Sequence, residues 1–440
     1  MRAGWARFAM KRSLLSVVHT YGAVFRHWPT LALLLGGTLL AQMAYAMITP
    51  TLPLFLRSGR LHTPVTDIGL IFAAYAIAET LFKAPAGAAG DKWGRTRIAV
   101  VGLLLGTLSP ILMTLAWRWE FFVPLRAVDG LGVALVWPTV MAMIGEKVPA
   151  EDRAQAMSAF NLPYMGGLVL GMSGGLQIGH VTGDNRYAFY TSSALLLCAA
   201  LCLVGTALWD RRFGGKWGPA ARPEPPATGE GASSDPLSRT WWHRLVELRR
   251  QQATLLHMLW IFAFVQMAAS LLVPILTLYA RDSLHLSQAE MVKLFVVPGL
   301  LTAVLAIPLG RIADRTGRPR AIQAGLALGA GGLCLTAVAG GHVWLVTGLM
   351  ALLGISYVVV MPAWMALTSE LAPPGRQGLA LGAMNTAQGL GFVVASALGA
   401  LLYERVGPTA PFYAGAALLA ACAVACTFLV RDRGKAGGEG

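Results

Sequence analysis

The sequence predicts an all-α membrane protein whose twelve transmembrane helices form two pseudo-symmetric bundles of six. Its composition is one reason: 56% of the 440 residues are hydrophobic and 13% are charged, whereas soluble globular chains carry about 25% charged residues. Its apolar runs also reach about the 20 residues that a helix needs to cross a bilayer. They are too long for barrel strands, so we predict helices, which satisfy their own backbone groups in lipid.

Twelve apolar runs follow one another along the chain. We number them spans 1 to 12 and predict them at 30–56, 66–89, 98–117, 121–145, 154–178, 187–209, 254–280, 288–312, 320–340, 343–367, 377–403 and 410–430. The termini and the connections after even-numbered spans hold 24 Lys and Arg residues, and the other connections hold six. Because cytoplasmic segments carry this excess, we predict a multi-pass protein of the cell (inner) membrane with both termini in the cytoplasm.

The net charge of +14 therefore predicts contact with anionic membrane lipids rather than with nucleic acid. All five cysteines fall inside predicted spans without a neighbouring His or acid, which favours packing residues over metal ligands. The sequence shows no nucleophile–base constellation and no nucleotide-binding loop. We therefore predict neither an enzyme nor a metal site or cofactor, and expect an ion gradient to supply the energy.

The two halves of the sequence repeat one another. AQMAYAMITPTLPLFLR at 41–57 matches VQMAASLLVPILTLYAR at 265–281, so that Gln42 aligns with Gln266 at an offset of 224 residues. Such a long period, with six spans on each side, indicates a duplication. Since six is even, both halves enter the membrane in the same sense and form a parallel repeat about an axis along the membrane normal.

The repeat divides the chain into five predicted segments. These are a basic amphipathic segment at 1–28, a six-helix bundle at 29–209, a cytoplasmic linker with an interfacial helix at 210–253, a second bundle at 254–431 and a cytoplasmic tail at 432–440. The linker is rich in Gly, Pro and Ser, which favours disorder. Its last part, TWWHRLVELRRQQ, combines Trp and Leu with several Arg residues, a pattern typical of amphipathic helices that lie at the membrane interface. A regulatory binding site there is the alternative.

One charged turn occurs in each half, at the inner end of its second span. It reads GDKWGRTR at 90–97 and ADRTGRPR at 313–320. The pattern G-x3-D-[RK]-x-G-[RK], which this resembles, is the signature of the major facilitator superfamily, and the resemblance covers about 30–430. The matching residues are Gly87, Asp91, Gly94 and Arg95 in the first half and Gly310, Asp314, Gly317 and Arg318 in the second.

The resemblance implies that these turns form a cytoplasmic gate that latches the two halves and releases them during transport. We expect Gly87 and Gly310 to let a neighbouring helix approach, and Gly94 and Gly317 to supply the dihedrals of a tight turn. Asp91 should face the N-terminus of a helix in the opposite half. Arg95 or Arg97 should pair with another acid, for which Glu146 and Glu370 are the candidates. The alternative is that the basic residues only fix the topology.

Charged residues inside spans are rare and usually functional. RAVDGLG at 126–132 resembles the family's R-x2-x-G-x-G pattern, and Arg126 and Asp129, three apart on a helix, can pair. Burial favours the neutral acid while a guanidinium favours the carboxylate, so Asp129 is our first candidate for proton coupling. A purely structural pair is the alternative. The same alternatives hold for Glu79 and Lys83 in span 2, where we favour the structural one.

Span 5 reads GGLVLGMSGG at 166–175, which partly resembles the G-P-x-x-G signature of proton-driven exporters, with Met172 in place of proline. Gly167, Gly171 and Gly175 are equally expected to pack helices closely. The candidates for a substrate cavity are isolated polar residues in apolar surroundings: Gln42, Asn161, Tyr164, Gln266, Asn385 and Gln388. A largely apolar cavity suits a lipophilic or amphipathic molecule.

We therefore predict a secondary active transporter, acting as a monomer, that exports lipophilic or amphipathic small molecules in exchange for protons by alternating access. An importer or metabolite exporter on the same fold is one alternative. A sensor or lipid-scrambling protein without coupled transport is the other.

Overall fold

A computed structural model of the chain describes residues 29–59, 61–148, 153–213, 253–339, 342–372 and 377–429. The described residues are almost entirely helical. The predicted amphipathic segment at 1–28, most of the linker at 210–253 and the tail at 432–440 lie outside them.

The first half folds into six long helices, one for each predicted span. They run over Pro29–Arg57, Val65–Trp93, Arg95–Leu115, Phe122–Lys147, Arg153–Thr182 and Arg186–Phe213. In the second half, span 7 consists of Ala253–Ser270 and Leu276–Asp282, and span 8 of Gln288–Met291 and Lys293–Thr316. Spans 9 to 12 run over Arg318–Val338, Val343–Leu371, Gln377–Arg405 and Ala410–Leu429.

By length and composition, ten of the helical stretches among the described residues can cross a membrane. Span 5 is 30 residues long, or about 45 Å, and span 7 completes the twelve with its two helices. The predicted fold of two six-helix bundles is confirmed. The predicted single helix at 254–280 is wrong in one detail, because span 7 is interrupted at 271–275.

The interruption in span 7 lies at Pro274. Proline has no N–H to donate to the helix ladder. Around it, the backbone N–H of Val273 donates to the carbonyl of Ser270 at 3.1 Å, in a tighter turn, before Leu276 resumes helical bonding to Leu272 at 2.8 Å. The repeat alone did not predict this break, because the aligned Pro50 lies inside a continuous helix.

The helix packing obeys the predicted repeat. In the first half, span 1 packs against spans 5 and 6, span 4 against spans 2 and 3, and span 3 against span 6. The second half repeats every one of these pairs with the corresponding spans. Between the halves, span 2 packs against span 11 and span 5 against span 8, which are equivalent seams in a two-fold repeat.

Three glycines of span 5 allow it to pack closely against the backbone of span 1. A Cβ at Gly167 would lie 2.8 Å from the carbonyl oxygen of Leu39, one at Gly171 2.8 Å from the Cα of Met43, and one at Gly175 2.6 Å from the carbonyl oxygen of Met47. The three positions are four apart, so they share one helix face. The close packing predicted for these glycines is confirmed.

Candidate functional site

The two charged turns are single-residue links at one face of the molecule, here called the motif face. Gly94 joins spans 2 and 3 with φ of +97°, and Gly317 joins spans 8 and 9 with φ of +90°. Residues with a side chain rarely adopt such angles, whereas glycine does so freely. The predicted need for glycine at both turns is confirmed.

Each turn is tied to the neighbouring helix end by an ion pair. Arg95 Nη1 lies 3.2 Å from Glu146 Oε1, at the end of span 4, and Arg95 Nη2 lies 2.9 Å from Asp91 Oδ1. In the second half, Arg318 pairs in the same way with Glu370 at the end of span 10. Both acids predicted as partners are therefore found in ion pairs, and Arg95 rather than the exposed Arg97 supplies the first cation.

Two other expectations at this turn stay predictions. The partner that the structure gives to Asp91 is Arg95 of its own turn, and the Asp91 side chain is 66% exposed. Among the described residues, no atom lies within 4 Å of a Cβ built at Gly87, so a close helix approach is not seen there. The surroundings of Gly310 and the side chain of Asp314 lie outside what the structure describes.

The halves meet at the face opposite the motif face. There the backbone N–H of Thr66 in span 2 donates to Glu404 Oε2 in span 11 at 2.7 Å. Gln288 Nε2 at the start of span 8 donates to Asn185 Oδ1 before span 6 at 3.1 Å. Deeper in the first seam, a Cβ at Gly69 would lie 3.3 Å from the Cα of Ala397.

Along the seam between spans 2 and 11, close packing gives way to exposed side chains toward the motif face. A further close approach is at mid-helix, where a Cβ at Gly389 would lie 2.9 Å from the Cβ of Thr80. Beyond that point, Leu81 and Phe82 of span 2 and residues 377–379 of span 11 are exposed. Among the described residues, the printed contacts between the halves thus lie at mid-helix and at the face opposite the motif face.

A buried ion pair lies inside the first bundle. Arg126 Nη1 donates to Asp129 Oδ2 at 2.8 Å, and their side chains are only 5% and 1% exposed. The guanidinium also lies over the ring of Tyr75, 4.4 Å from its centroid, and 5.5 Å from that of Phe72. Such contacts stabilise a cation with little water around it. The predicted pairing of Arg126 with Asp129 is confirmed.

This pair is incompletely satisfied. Among the described residues, Arg126 Nε and the buried hydroxyl of Tyr45 in span 1 make no hydrogen bond. Asp129 Oδ1 also makes none, since the nearby hydroxyl of Ser109 donates to the carbonyl oxygen of Leu125 at 2.8 Å. An unmatched oxygen on a buried carboxylate is costly. Protonation of the carboxylate or a bound water would relieve that cost.

Glycines of the R-x2-x-G-x-G pattern explain why the pair is buried. A Cβ at Gly130 would lie 3.0 Å from the backbone nitrogen of Glu79, so span 4 lies directly on the backbone of span 2. A Cβ at Gly132 would lie 2.8 Å from the carbonyl oxygen of Gly102 in span 3. Close approach on two sides leaves no access for bulk water at Arg126 and Asp129.

The second predicted pair is more accessible. Lys83 Nζ lies 2.7 Å from Glu79 Oε1, with side chains 37% and 21% exposed, so the prediction that they pair is confirmed. Span 2, which carries this pair, also packs against span 11 of the second half.

The six cavity candidates divide into three kinds. Gln42 and Gln266 are buried at equivalent positions beneath the glycine faces of spans 5 and 11. Asn161 and Asn385 are exposed, and Gln388 is half-buried. Tyr164 belongs to an aromatic cluster, with its ring 5.1 Å from Trp137 and 5.6 Å from Phe160 between centroids.

The sequence did not single out Tyr45, Tyr75 or Trp137. Tyr75 lies under Arg126, Trp137 contacts Tyr164, and Tyr45 contacts Trp137. An isolated aromatic residue in an apolar span carries no local signal. Only Tyr45 could have been noticed from the sequence, because it aligns with Ala269 in an otherwise close match between 41–57 and 265–281.

Comparison with known families and proteins gives one consistent result. The family model described as Major Facilitator Superfamily matches residues 34–288 and 258–440. Multidrug resistance protein 2 of Bacillus subtilis (strain 168) is 23% identical over 382 residues, or 84% of this chain and 88% of that protein. Quinolone resistance protein NorA of Staphylococcus aureus (strain MRSA252) is 25% identical over 162 residues, or 37% of this chain and 41% of that protein.

Solved structures share the architecture. The xylose transporter XylE from E. coli, in an inward open conformation, superposes with a TM-score of 0.66 at 16% identity, covering 92% of this chain and 97% of that one. The POT family transporter PepTSo gives a TM-score of 0.72 at 14% identity, covering 91% and 97%. At these identities the likeness concerns the fold alone.

Proposed function

The chain belongs to the major facilitator superfamily of membrane transporters, and from this premise we propose that it exports lipophilic or amphipathic small molecules in exchange for protons. The observation that carries the proposal is the buried, incompletely satisfied pair of Arg126 and Asp129. At the offset of 224 residues, Met350 and Leu353 occupy the corresponding places in the second half. A charge pair kept in one half of a duplicated bundle, at the cost of burial, is best explained by a role in coupling.

The distribution of Lys and Arg supports a cytoplasmic motif face. Because the described contacts between the halves lie at mid-helix and at the opposite face, we take the described state as open to the inside. A molecule from the cytoplasm or the inner leaflet would enter between the halves. Closing the motif face would then bring the two turns together while the contacts of Thr66 with Glu404 and of Gln288 with Asn185 separate. A single chain encloses this whole path, so a monomer suffices.

Proton coupling follows from the competition at Asp129. With Arg126 at 2.8 Å the carboxylate is stabilised, whereas burial alone favours the neutral acid. A helix movement that draws Arg126 toward Tyr75 and away from Asp129 would let Asp129 take up a proton from the outer side. Re-forming the pair in the inward-open state would release that proton to the cytoplasm. One group then holds the proton in one state and loses it in the other.

The class of substrate rests on the lining and on the relatives. The polar groups that border the space between the halves are few, and the amides among them are widely separated, so neither a sugar nor a phosphate compound is well matched. Two relatives are named for resistance to drugs, one of them to quinolones. We extend that class of substrate to this chain.

Inside-out membrane vesicles containing the protein test the proposal. When the vesicle lumen is acidified, norfloxacin and tetraphenylphosphonium should accumulate inside, and collapse of the pH gradient should abolish accumulation. Accumulation in right-side-out vesicles instead would indicate an importer. Proton movement that is independent of every lipophilic compound tried, or no transport at all, would refute coupled export.

A further inference from the structure

A cavity of about 100 Å³ lies inside the second bundle, between spans 7, 9, 10 and 12. Its walls are mostly aliphatic, with Leu326, Leu333 and Leu353 among them. Gln266 and Tyr357 contribute amide and phenol groups to the same wall. The cavity is thus an apolar space with a few polar groups, which is the usual character of a small-molecule site.

The internal repeat explains why this space is empty. At the offset of 224 residues, Ala269 stands where span 1 has Tyr45, and Leu353 stands where span 4 has Asp129. In the first bundle the Tyr45 ring enters between the helices, and its hydroxyl lies 3.5 Å from a Cβ built at Gly132. A phenol ring therefore fills in one bundle the volume that Ala269 leaves open in the other.

The cavity is open at one part of its wall. Ala269 and Tyr357, which both line it, are exposed residues of spans 7 and 10. A molecule held between the halves can extend one group into the cavity without disturbing the outer faces of spans 9 and 12.

We propose that this cavity, bounded by Ala269, Leu353 and Tyr357, is a subsite for an aryl group of the transported molecule. Transport of the bound molecule rests on the proposed function, whereas the binding of an aryl group does not. A benzene-sized ring is the occupant that the Tyr45 side chain indicates, and a somewhat larger apolar cavity, of about 150 Å³, binds benzene in another protein. Gln266 and Tyr357 would then orient the polar remainder of an amphipathic molecule.

Photolabelling of the full chain in lipid vesicles tests the subsite directly. The probe is 3-trifluoromethyl-3-phenyldiazirine, whose labelled residues are mapped by mass spectrometry. Residues of the cavity wall, Leu326 and Leu353 above all, should label saturably and be protected by excess toluene. Val424, which is 58% exposed on span 12, should label in proportion to probe concentration and serves as the internal reference.

The variant Ala269→Tyr places in the second bundle the ring that fills the first, and it should lose the saturable labelling. Leu335→Tyr adds the same bulk on the exposed face of span 9 and should label as the wild type does. If Ala269→Tyr does not fold, Leu353→Phe fills the cavity from the opposite wall and is read in the same way. Saturable labelling that survives a folded filled variant, or its absence from the wild type when Val424 labels, overturns the proposal.

Transport gives a separate measurement. The wild type should move methyltriphenylphosphonium faster than tetramethylphosphonium, and Ala269→Tyr should lose that preference while still moving the smaller ion. If the wild type shows saturable labelling but transports neither ion nor norfloxacin, the proposed export fails and the aryl site stands. A preference for the aryl compound that Ala269→Tyr leaves unchanged removes the site from the transport path.

Discussion

Asp129 combines deep burial with an oxygen that lacks a described partner. Arg126, three residues earlier, neutralises it from the same helix. A pair that served packing alone would be replaceable by apolar residues of similar size, since such replacements are often neutral or stabilising. A pair that couples proton movement would not be.

Replacement of Asp129 separates these roles. We expect Asp129→Asn to abolish gradient-driven accumulation of norfloxacin while preserving gradient-independent exchange, because Asn keeps the shape but cannot take up a proton. The variant also leaves the Arg126 charge unpaired, which costs about 3–5 kcal/mol when a buried pair is broken. Thermal unfolding in detergent measures that loss, and counterflow in vesicles measures exchange.

The double variant Arg126→Met with Asp129→Leu, which copies the second half, is the matched control. It should recover much of the lost stability but none of the coupling. Recovery of gradient-driven transport in the double variant would mean that the pair is structural.

Glu79 provides a second comparison at the scale of a residue. Its pair with Lys83 is partly exposed, so we expect Glu79→Gln to reduce stability by no more than about 1 kcal/mol and to keep driven accumulation. If Glu79→Gln loses accumulation and Asp129→Asn keeps it, the coupling carboxylate has been misassigned. The same vesicle measurement, run side by side, decides between them.

Single helices show how far the sequence determines the structure. Both charge pairs were predictable, because a separation of three or four residues fixes neighbours on a helix before any tertiary contact forms. The glycines at 94 and 317 were predictable from the turn itself. The break in span 7 was not, since Pro50 and Pro274 look alike locally. Nor was the environment of Tyr45, which depends on four helices meeting.

The seam between spans 1 and 5 yields a prediction at the scale of an element. Gly171→Ala should lower the free energy of unfolding by about 1–3 kcal/mol, because the added methyl group meets the backbone of span 1. Gly174→Ala is the matched control on the same helix, since its Cβ would lie 3.6 Å from the flexible end of Met47. Equal changes in thermal unfolding for the two variants would contradict a backbone-to-backbone seam.

At the scale of the whole molecule, the described contacts between the halves lie at mid-helix and at the face opposite the motif face. The Asp91 side chain is two-thirds exposed at the motif face and is held by Arg95 of its own turn. In a state closed at that face, Asp91 would be free to meet a helix N-terminus of the second half. Asp91 would therefore affect the free-energy difference between the two conformational states rather than the stability of either bundle.

We accordingly expect Asp91→Asn to impair transport much more than it impairs insertion or thermal stability. Glu120→Gln is the control at the opposite face, where Glu120 pairs with Arg118 at 2.6 Å on an exposed surface. Initial transport rates in vesicles, normalised to the amount of folded protein, are the measurement. A normal rate for a well-expressed Asp91→Asn protein would remove the proposed gating role.

The linker tests how independent the bundles are. Removing about 20 residues from 214–236 should leave transport largely intact, because the segment has no apolar pattern to pack. The part at 240–252 should be less dispensable. Loss of transport at normal protein levels after the shorter deletion would show that the linker does more than join two bundles.

Each bundle repeats the same set of helix pairs, one apolar cluster lies wholly within the first, and a larger one contains residues of both. We therefore expect the two bundles to assemble in the membrane without the covalent linker. Two separate polypeptides, 1–213 and 237–440, made together in one cell, should find each other in the membrane through the seams of spans 2 with 11 and 5 with 8. Co-purification of an untagged first fragment with a tagged second one would reveal a transporter that behaves as a heterodimer with its subunits fused.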